Sequence, residues 1–391
     1  MIVRQFISWI KTAPAGERAE ATRALARAWL ISNLTEEDRA AAEGALLMQL
    51  DDASPLVRQA MAEVFARSLE APAAIVQALS VDQPSVSLPI LEHSPLLIDA
   101  DLVDIVATGN SETQCAIARR INLPASVCAA IAEVGTAEAA LELIENASAE
   151  LAPFSWDRIV ERHGHLAAIR ESMLVLEDLP AATRLALVAK LSDTLAQFVV
   201  ARNWLSADRA ERVASEARDR STVNIAAASR GDDMVGLVRH LRVTGQLNAG
   251  LILRALLSGN LELFEVALVE LSDLPRSRVA ALLGDRAGAS LSALLRRAGL
   301  PESTFAAFRV ALEADREIGF VDTPGGAARL RRRMVERVLT HCETDEQAAE
   351  PLLILLRRFA TESAREEARL FCDELIAEEA IAPAQYGLIA A

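Results

Sequence analysis

A repeat of 29 residues between positions 51 and 134 constrains the fold of this chain more than any other feature. A fixed period between 20 and 50 residues is the signature of stacked supersecondary units. Each unit has room for two short amphipathic helices and a turn. We therefore expect an all-α fold, an α-solenoid of irregular helix pairs. The columns that share a position are Val57, Val86 and Cys115; Ala60, Pro89 and Ala118; Leu69, Ile98 and Val127; Val76, Ile105 and Val134.

The repeat also predicts where helices begin and how far the array extends. The same shift aligns residues as far as Leu185, so we expect five helix pairs between residues 52 and 191. Proline is favoured at the first position of a helix, so Pro55 is expected to open one, with Ser54 as its cap. Ahead of the array, Thr35 in LTEEDRA is expected to cap the helix that follows it.

The chain divides into four predicted segments. Residues 1–50 are expected to be N-terminal capping helices, and residues 51–191 the repeat array. A second helical array is predicted over 192–320, because LSDLPRSRVAALL and RAGLPESTFAAF align at a shift of 26 residues. The VDTPGG stretch is a strong break. It separates this array from a C-terminal helical bundle and tail over 321–391, with a basic, an apolar and an acidic helix in that order.

Composition excludes several classes of function. The chain has 391 residues, is 52% hydrophobic and carries a formal net charge of −15. That charge argues against general binding of nucleic acid, because binding to phosphates depends on cationic side chains. Apolar runs such as LLILL are too short to cross a bilayer, and the N-terminus lacks the apolar core of a signal peptide. No two of the four cysteines form a CxxC pair, which favours a reducing cytoplasm.

Several stretches resemble a known family. They are LTEEDRA, DDASPLVRQAMAEVFARS, SLPILEHSPLLIDADLVDIV, QCAIARRINLPASV and RHGHLAAIRESMLVLEDLP, which lie within residues 35–190. Their order is similar to that of the bacterial "domain of unknown function 2336" family, a HEAT-like group found mainly in alphaproteobacteria. The resemblance implies a helical repeat fold. It implies no activity and no catalytic residues.

The first unit also resembles the HEAT-repeat signature, through Asp52, Pro55, Val57 and Arg58. In HEAT repeats, the aspartate and arginine of neighbouring units can form a ladder of ion pairs. The later units carry Ser and Ala in place of the arginine, so the resemblance does not extend the ladder along the whole array.

Arginines supply the candidate contact residues. Guanidinium groups hold phosphates or carboxylates through paired hydrogen bonds. The alternative is that these arginines lie on solvated helix faces and form surface ion pairs, which is the commoner role of such residues. The candidate contacts for an anion or a partner are Arg119, Arg120, Arg329, Arg331, Arg332 and Arg333.

No other motif points to a specific chemistry. His163 and His165 flank Gly164 and could bind a transition metal only in a loop, and a turn with exposed or capping histidines is the simpler interpretation. No GxSxG, P-loop or dinucleotide-binding motif occurs. We therefore expect no catalytic residue, no cofactor and no metal.

These observations lead to one main hypothesis and one alternative. The main hypothesis is a non-catalytic cytoplasmic scaffold or adaptor that binds a protein or peptide along the solenoid surface. The acidic balance favours basic partner segments. The alternative is a sensor that holds a phosphate or a nucleotide in an arginine-lined pocket. No membrane association and no nucleic acid are expected, and self-association is left open.

Overall fold

A computed structural model describes residues 2–285, 289–318, 326–345 and 349–386, and all regular structure in these ranges is helical. The predicted all-α class is confirmed. The chain forms two compact units, Met1–Leu179 (unit 1) and Pro180–Ala391 (unit 2). The predicted end of the first array, residue 191, falls inside a helix that spans Ala181–Ala201, and the unit boundary lies just before that helix.

Unit 1 consists of short helices, most of them in pairs. The helices are α1 Ile2–Ile10, α2 Ala15–Ile31, α3 Glu36–Gln49, α4 Pro55–Phe65, α5 Ala73–Ser80, α6 Pro84–His93, α7 Asp99–Thr108, α8 Ser111–Ala118, α9 Ala125–Val134, α10 Ala137–Glu145, α11 Pro153–His163 and α12 Ala167–Val175. Thr35 accepts a hydrogen bond from the Asp38 amide and caps α3, as predicted. Ser54 makes no such cap on α4, and that prediction is wrong.

Alternate helices of unit 1 pack against each other. The series α2, α4, α6, α8, α10 and α12 is continuous, since each member contacts the next, and α7, α9 and α11 form a second series. Short helices cannot bury enough apolar surface alone, so each depends on its neighbours in the series. Their buried faces are aliphatic, for example Val57, Ile90 and Leu143.

An arginine–aspartate ladder ties the first units together. The guanidinium of Arg18 on α2 donates to both carboxylate oxygens of Asp52 at 2.7 and 2.8 Å. Arg58 on α4 pairs in the same way with Asp82. Hydrogen bonds from arginine lower the pKa of both aspartates below the ordinary value. The ladder predicted only tentatively by the HEAT resemblance therefore has two rungs, both at the beginning of the array.

The predicted repeat columns are confirmed in part. Val57, Val86 and Cys115 are all buried. Leu69 and Ile98, however, are exposed, although Val127 in the same column is buried. The reason is that the first helices of the pairs begin at residues 55, 84, 111, 137 and 167, so the length of a unit varies between 26 and 30 residues. A single fixed shift cannot follow all of them.

Unit 2 has a larger core and longer helices. Phe264 and Phe308 meet at its centre with ring centroids 5.9 Å apart. Around them lie aliphatic side chains of α15, α16, α17 and α20. The helices of this unit are α13 Ala181–Ala201, α14 Ala207–Ala228, α15 Gly231–Val243, α16 Ala249–Leu257, α17 Leu261–Ser272, α18 Arg276–Gly284, α19 Ala289–Arg297, a 3₁₀ turn Glu302–Thr304, α20 Phe305–Ile318, α21 Gly326–Thr344 and α22 Glu350–Tyr386.

The C-terminal region differs from the prediction in its helices. The predicted apolar and acidic helices are one continuous helix, α22, which packs against α21. No glycine or helix-capping break separates the two sequence blocks, so only their composition suggested a boundary. Most of the VDTPGG break and the end of the tail lie outside the described residues. Among the helices that are described, none is both long enough and apolar enough to cross a bilayer.

Candidate anion-binding site in unit 2

Four helices of unit 2 surround a cavity with two adjoining parts. Residues of α14, α16, α21 and α22 line the inner part, which has a volume of about 30 Å³. Its apolar wall consists of Val223, Leu257, Val335 and Phe359. The outer part has a volume of about 250 Å³ and lies between α14 and α22. Arg220 and Glu362 line both parts, so the two are continuous.

Arg254 is the most buried charged group of the inner part. Its side chain is 9% exposed, and its Nη1 donates to Glu362 at 2.7 Å. The guanidinium lies over the ring of Phe359, 4.2 Å from the centroid, which is a favourable cation–π distance. The long helix α22 therefore supplies both an aromatic face and a carboxylate to a cation that α16 carries into the interior.

Two buried donors in this site have no acceptor. The Nε atoms of Arg254 and Arg331 are buried, and neither finds a hydrogen-bond partner among the described residues. The other end of Arg331 pairs with Glu366. A buried donor without a partner is costly, and native proteins usually satisfy such groups with water or a ligand. The inner cavity thus offers two N–H groups to an incoming acceptor.

Three arginines of the outer part carry uncompensated charge. Arg220, Arg365 and Arg369 form no ion pair in the part of the chain that the structure describes, whereas most arginines of unit 2 do. Arg358 also lines this part and pairs with Glu216 at 2.9 Å. In a chain with a net charge of −15, carboxylates are abundant, so a cluster of unpaired arginines is not a consequence of composition.

Charge at the site is positive overall. The two parts are lined by six arginines, at positions 220, 254, 331, 358, 365 and 369, and by three glutamates, at positions 216, 362 and 366. Asp219 lies close to Arg254, but burial raises the pKa of its carboxyl, which opposes ionisation. The arrangement can therefore attract an anion with more than one negative charge and hold it through guanidinium forks.

The site brings together only one of the arginines singled out from the sequence. Arg331 lines the inner cavity. Arg329 pairs with Glu367 and Glu374, Arg332 pairs with Glu336 and Glu367, and Arg333 is exposed. The basic run on α21 is therefore mostly a face of ion pairs, as the alternative interpretation predicted.

The two candidates in unit 1 serve the fold. Arg119 pairs with Glu142 on a neighbouring helix. Arg120 donates to the backbone carbonyls of Leu91 and Ser94, each at 2.6 Å, and so ties its own turn to the preceding one. Neither residue contributes to a cluster of unpaired arginines.

Sequence reasoning missed most of the site. Arg220, Arg254, Arg365 and Arg369 stand singly in the sequence and come from three helices. The one available signal was the spacing of Arg358, Arg365 and Arg369, which places successive arginines on neighbouring faces of one helix.

The histidine pair has a structural role. His163 is the last residue of α11, and its Nε2 lies 3.3 Å from the carbonyl oxygen of Gly135. Burial lowers the pKa of this imidazole. Within the described ranges, no group of three or more histidine, cysteine, aspartate or glutamate side chains could hold a metal ion.

Comparison with known proteins gives one match. The model of the family described as "uncharacterised protein conserved in bacteria (DUF2336)" matches residues 86–347, which is more than half of the chain and includes Arg220, Arg254 and Arg331. Neither the curated proteins nor the solved structures gave a match. The resemblance noted in the sequence is thereby confirmed: this chain belongs to the bacterial DUF2336 family.

Proposed function

We propose that unit 2 is a receptor for a small polyanion, such as a molecule that carries a diphosphate, and that the protein responds to this ligand without catalysing a reaction. One observation carries the proposal: Arg220, Arg365 and Arg369, all without an ion-pair partner among the described residues, line the same cavity. Phosphate oxygens would take the place of the missing carboxylates and accept hydrogen bonds from the guanidinium groups.

The inner part of the cavity supports the same function. It is too small for a ring system, but it has room for a small polar group beside the Nε atoms of Arg254 and Arg331. An acceptor atom of the ligand that enters there would satisfy both donors. Because α14 and α22 both line the outer part, a bound anion would hold these two helices together. The ligand would thus stabilise the position of α22, which is how we expect binding to be sensed.

Differential scanning fluorimetry of the full chain tests this function. Inorganic pyrophosphate is the probe, and sodium chloride at matched ionic strength is the control. A ligand that binds only the folded state raises the melting temperature in proportion to its occupancy. We expect pyrophosphate to raise it and chloride to leave it unchanged. Equal effects of the two salts would show that the arginines sense ionic strength only.

A second candidate function is the interaction scaffold predicted from the sequence, in the cytoplasm and without catalysis. It is supported by the continuous packing of α2, α4, α6, α8, α10 and α12, which is the pattern expected of a HEAT-like solenoid in unit 1. Such an array exposes long rows of equivalent positions to a partner. Small-angle scattering of unit 1 would test the solenoid arrangement, because an elongated array and a globular bundle of the same length differ in radius of gyration.

A further inference from the structure

Unit 1 exposes large apolar side chains at one end of its helix pairs. The exposed residues lie in, or next to, the turn that joins the first helix of a pair to the second. Isolated exposed apolar residues are ordinary, but a series at equivalent positions indicates an interaction surface. The series, with the exposed fraction of each residue, is Ile31 83%, Leu69 74%, Ile98 63%, Ile121 79%, Phe154 58% and Val175 80%.

Hydrogen bonds between consecutive turns place the central four of these residues along one edge. Arg67, in the turn after α4, lies 2.9 Å from the ring of His93 at the end of α6. The guanidinium of Arg120, in the turn after α8, donates to the carbonyl of Ser94 in the turn after α6. The amide of Asn122 donates to the hydroxyl of Ser148 in the turn after α10, at 3.0 Å. The turns therefore form a continuous strip, which we call the turn edge.

Available charge on the turn edge is negative. Glu70, Asp99 and Glu150 are exposed, and none of them forms an ion pair with a residue that the structure describes. The cations of the same turns are already engaged, since Arg67 contacts His93 and Arg119 pairs with Glu142. A partner that brings its own positive charges would therefore meet carboxylates free to pair with it.

Spacing of the apolar residues indicates the conformation of the partner. Neighbouring packed helices lie about 8–10 Å apart, so the exposed side chains of successive turns are separated by about that distance. An extended chain covers about 10 Å in three residues. A helix would need about seven residues for the same distance. A short extended segment therefore reaches four turns most economically.

We propose that the turn edge binds an extended basic peptide that has an apolar side chain at every third position, with arginine or lysine between. The apolar residues would contact Leu69, Ile98, Ile121 and Phe154, and the basic residues would pair with the carboxylates beside them. This inference rests on the scaffold function proposed for unit 1 and adds its surface and the chemistry of its partner.

Fluorescence anisotropy with the full chain and three labelled peptides tests the proposal. The first peptide consists of four Val-Arg-Thr triplets. The second has the same composition with its valines consecutive, and the third has glutamate in place of arginine. We expect the first peptide to bind about ten-fold more tightly than either control, because only it matches both spacing and charge.

Variants locate the binding surface. Ile98→Asp and Ile121→Asp change exposed side chains on the turn edge and are expected to weaken binding of the first peptide about ten-fold each. Val81→Asp is the matched control, because Val81 is 76% exposed but follows the second helix of a pair, at the other end of the helices. Its effect is expected to stay within about two-fold. Thermal unfolding of each variant verifies that it is folded.

Three results would overturn the inference. They are no binding of the first peptide, equal binding of all three peptides, and equal weakening by Val81→Asp and the turn-edge variants. The scaffold function is separable from these results. If a native protein partner still binds the Ile98→Asp and Ile121→Asp variants while the first peptide does not bind the wild type, the scaffold function stands and this inference is wrong.

Discussion

Replacing Arg254 with methionine is the sharpest test of how the unit 2 site is held together. The substitution removes the guanidinium from its position between Glu362 and the ring of Phe359 but keeps an apolar stem of similar length. Glu362 then remains in the cavity wall without its closest cation. Arg358→Met is a matched control, because Arg358 also pairs with a glutamate, Glu216, at 2.9 Å in the same cavity.

Burial sets the expected magnitudes. Removing one partner of a fully buried ion pair costs about 3–5 kcal/mol, whereas an exposed pair contributes about 0–1 kcal/mol. The side chains of Arg254 and Glu362 are 9% and 26% exposed, which lies between these limits. Including the lost cation–π contact, we expect Arg254→Met to lower the free energy of unfolding by about 2–3 kcal/mol. Arg358 and Glu216 are 37% and 31% exposed, so we expect less than about 1 kcal/mol for Arg358→Met.

Native-state hydrogen exchange of peptides from α16 and α22 measures these losses within unit 2. The double variant Arg254→Met, Glu362→Gln should recover about 1 kcal/mol relative to the single variant, because the glutamine no longer leaves a charge unpaired. Equal destabilisation by Arg254→Met and Arg358→Met, or no recovery in the double variant, would refute the assignment of Arg254 as the buried cation that organises this cavity.

Three further predictions follow from local features. The hydrogen bond from Arg58 lowers the pKa of Asp82, so the stability it contributes is present above the ordinary aspartate value of about 4 and is lost as the pH falls below it; urea midpoints of Asp82→Asn should therefore vary less with pH than wild type between about pH 5 and 2. Burial raises the pKa of Cys128 to about 11, whereas Cys372 is exposed, so a thiol reagent at neutral pH should modify Cys372 within minutes and leave Cys128 unreacted, as peptide mapping would show. Asn260 accepts the hydrogen bond that caps α17, and Asn260→Ala should reduce the free energy of unfolding by about 1 kcal/mol in a urea titration.

Much of the fold could be predicted because it depends on local patterns. The spacing of apolar residues and the positions of proline and threonine predicted the helices of unit 1, including the cap at Thr35. The exposed Leu69 and Ile98 could not be predicted, because the length of a unit depends on each turn and apolar identity alone does not distinguish a core position from a surface contact. The same ambiguity hid the turn edge.

The candidate site was harder to predict than the fold because its residues are distant in sequence. Arginine runs on α21 attracted attention as a cluster, yet Arg329 and Arg332 pair with glutamates of α22. Single arginines on α14, α16 and α22 form the cavity instead. Convergence of this kind depends on helix packing in three dimensions, and neither charge nor periodicity in the sequence contains that information.

Isothermal titration calorimetry with pyrophosphate tests the central claim most directly. The wild type is compared with the variant Arg220→Gln, Arg365→Gln, Arg369→Gln and with a control, Arg209→Gln, Arg212→Gln, Arg333→Gln, which removes the same charge from exposed arginines outside the cavity. Each guanidinium contact with the anion contributes about 1.5–3 kcal/mol, so the cavity variant should bind at least about a hundred-fold more weakly while the control binds like the wild type. Equal affinities of the cavity variant and the control would contradict an anion receptor at this site.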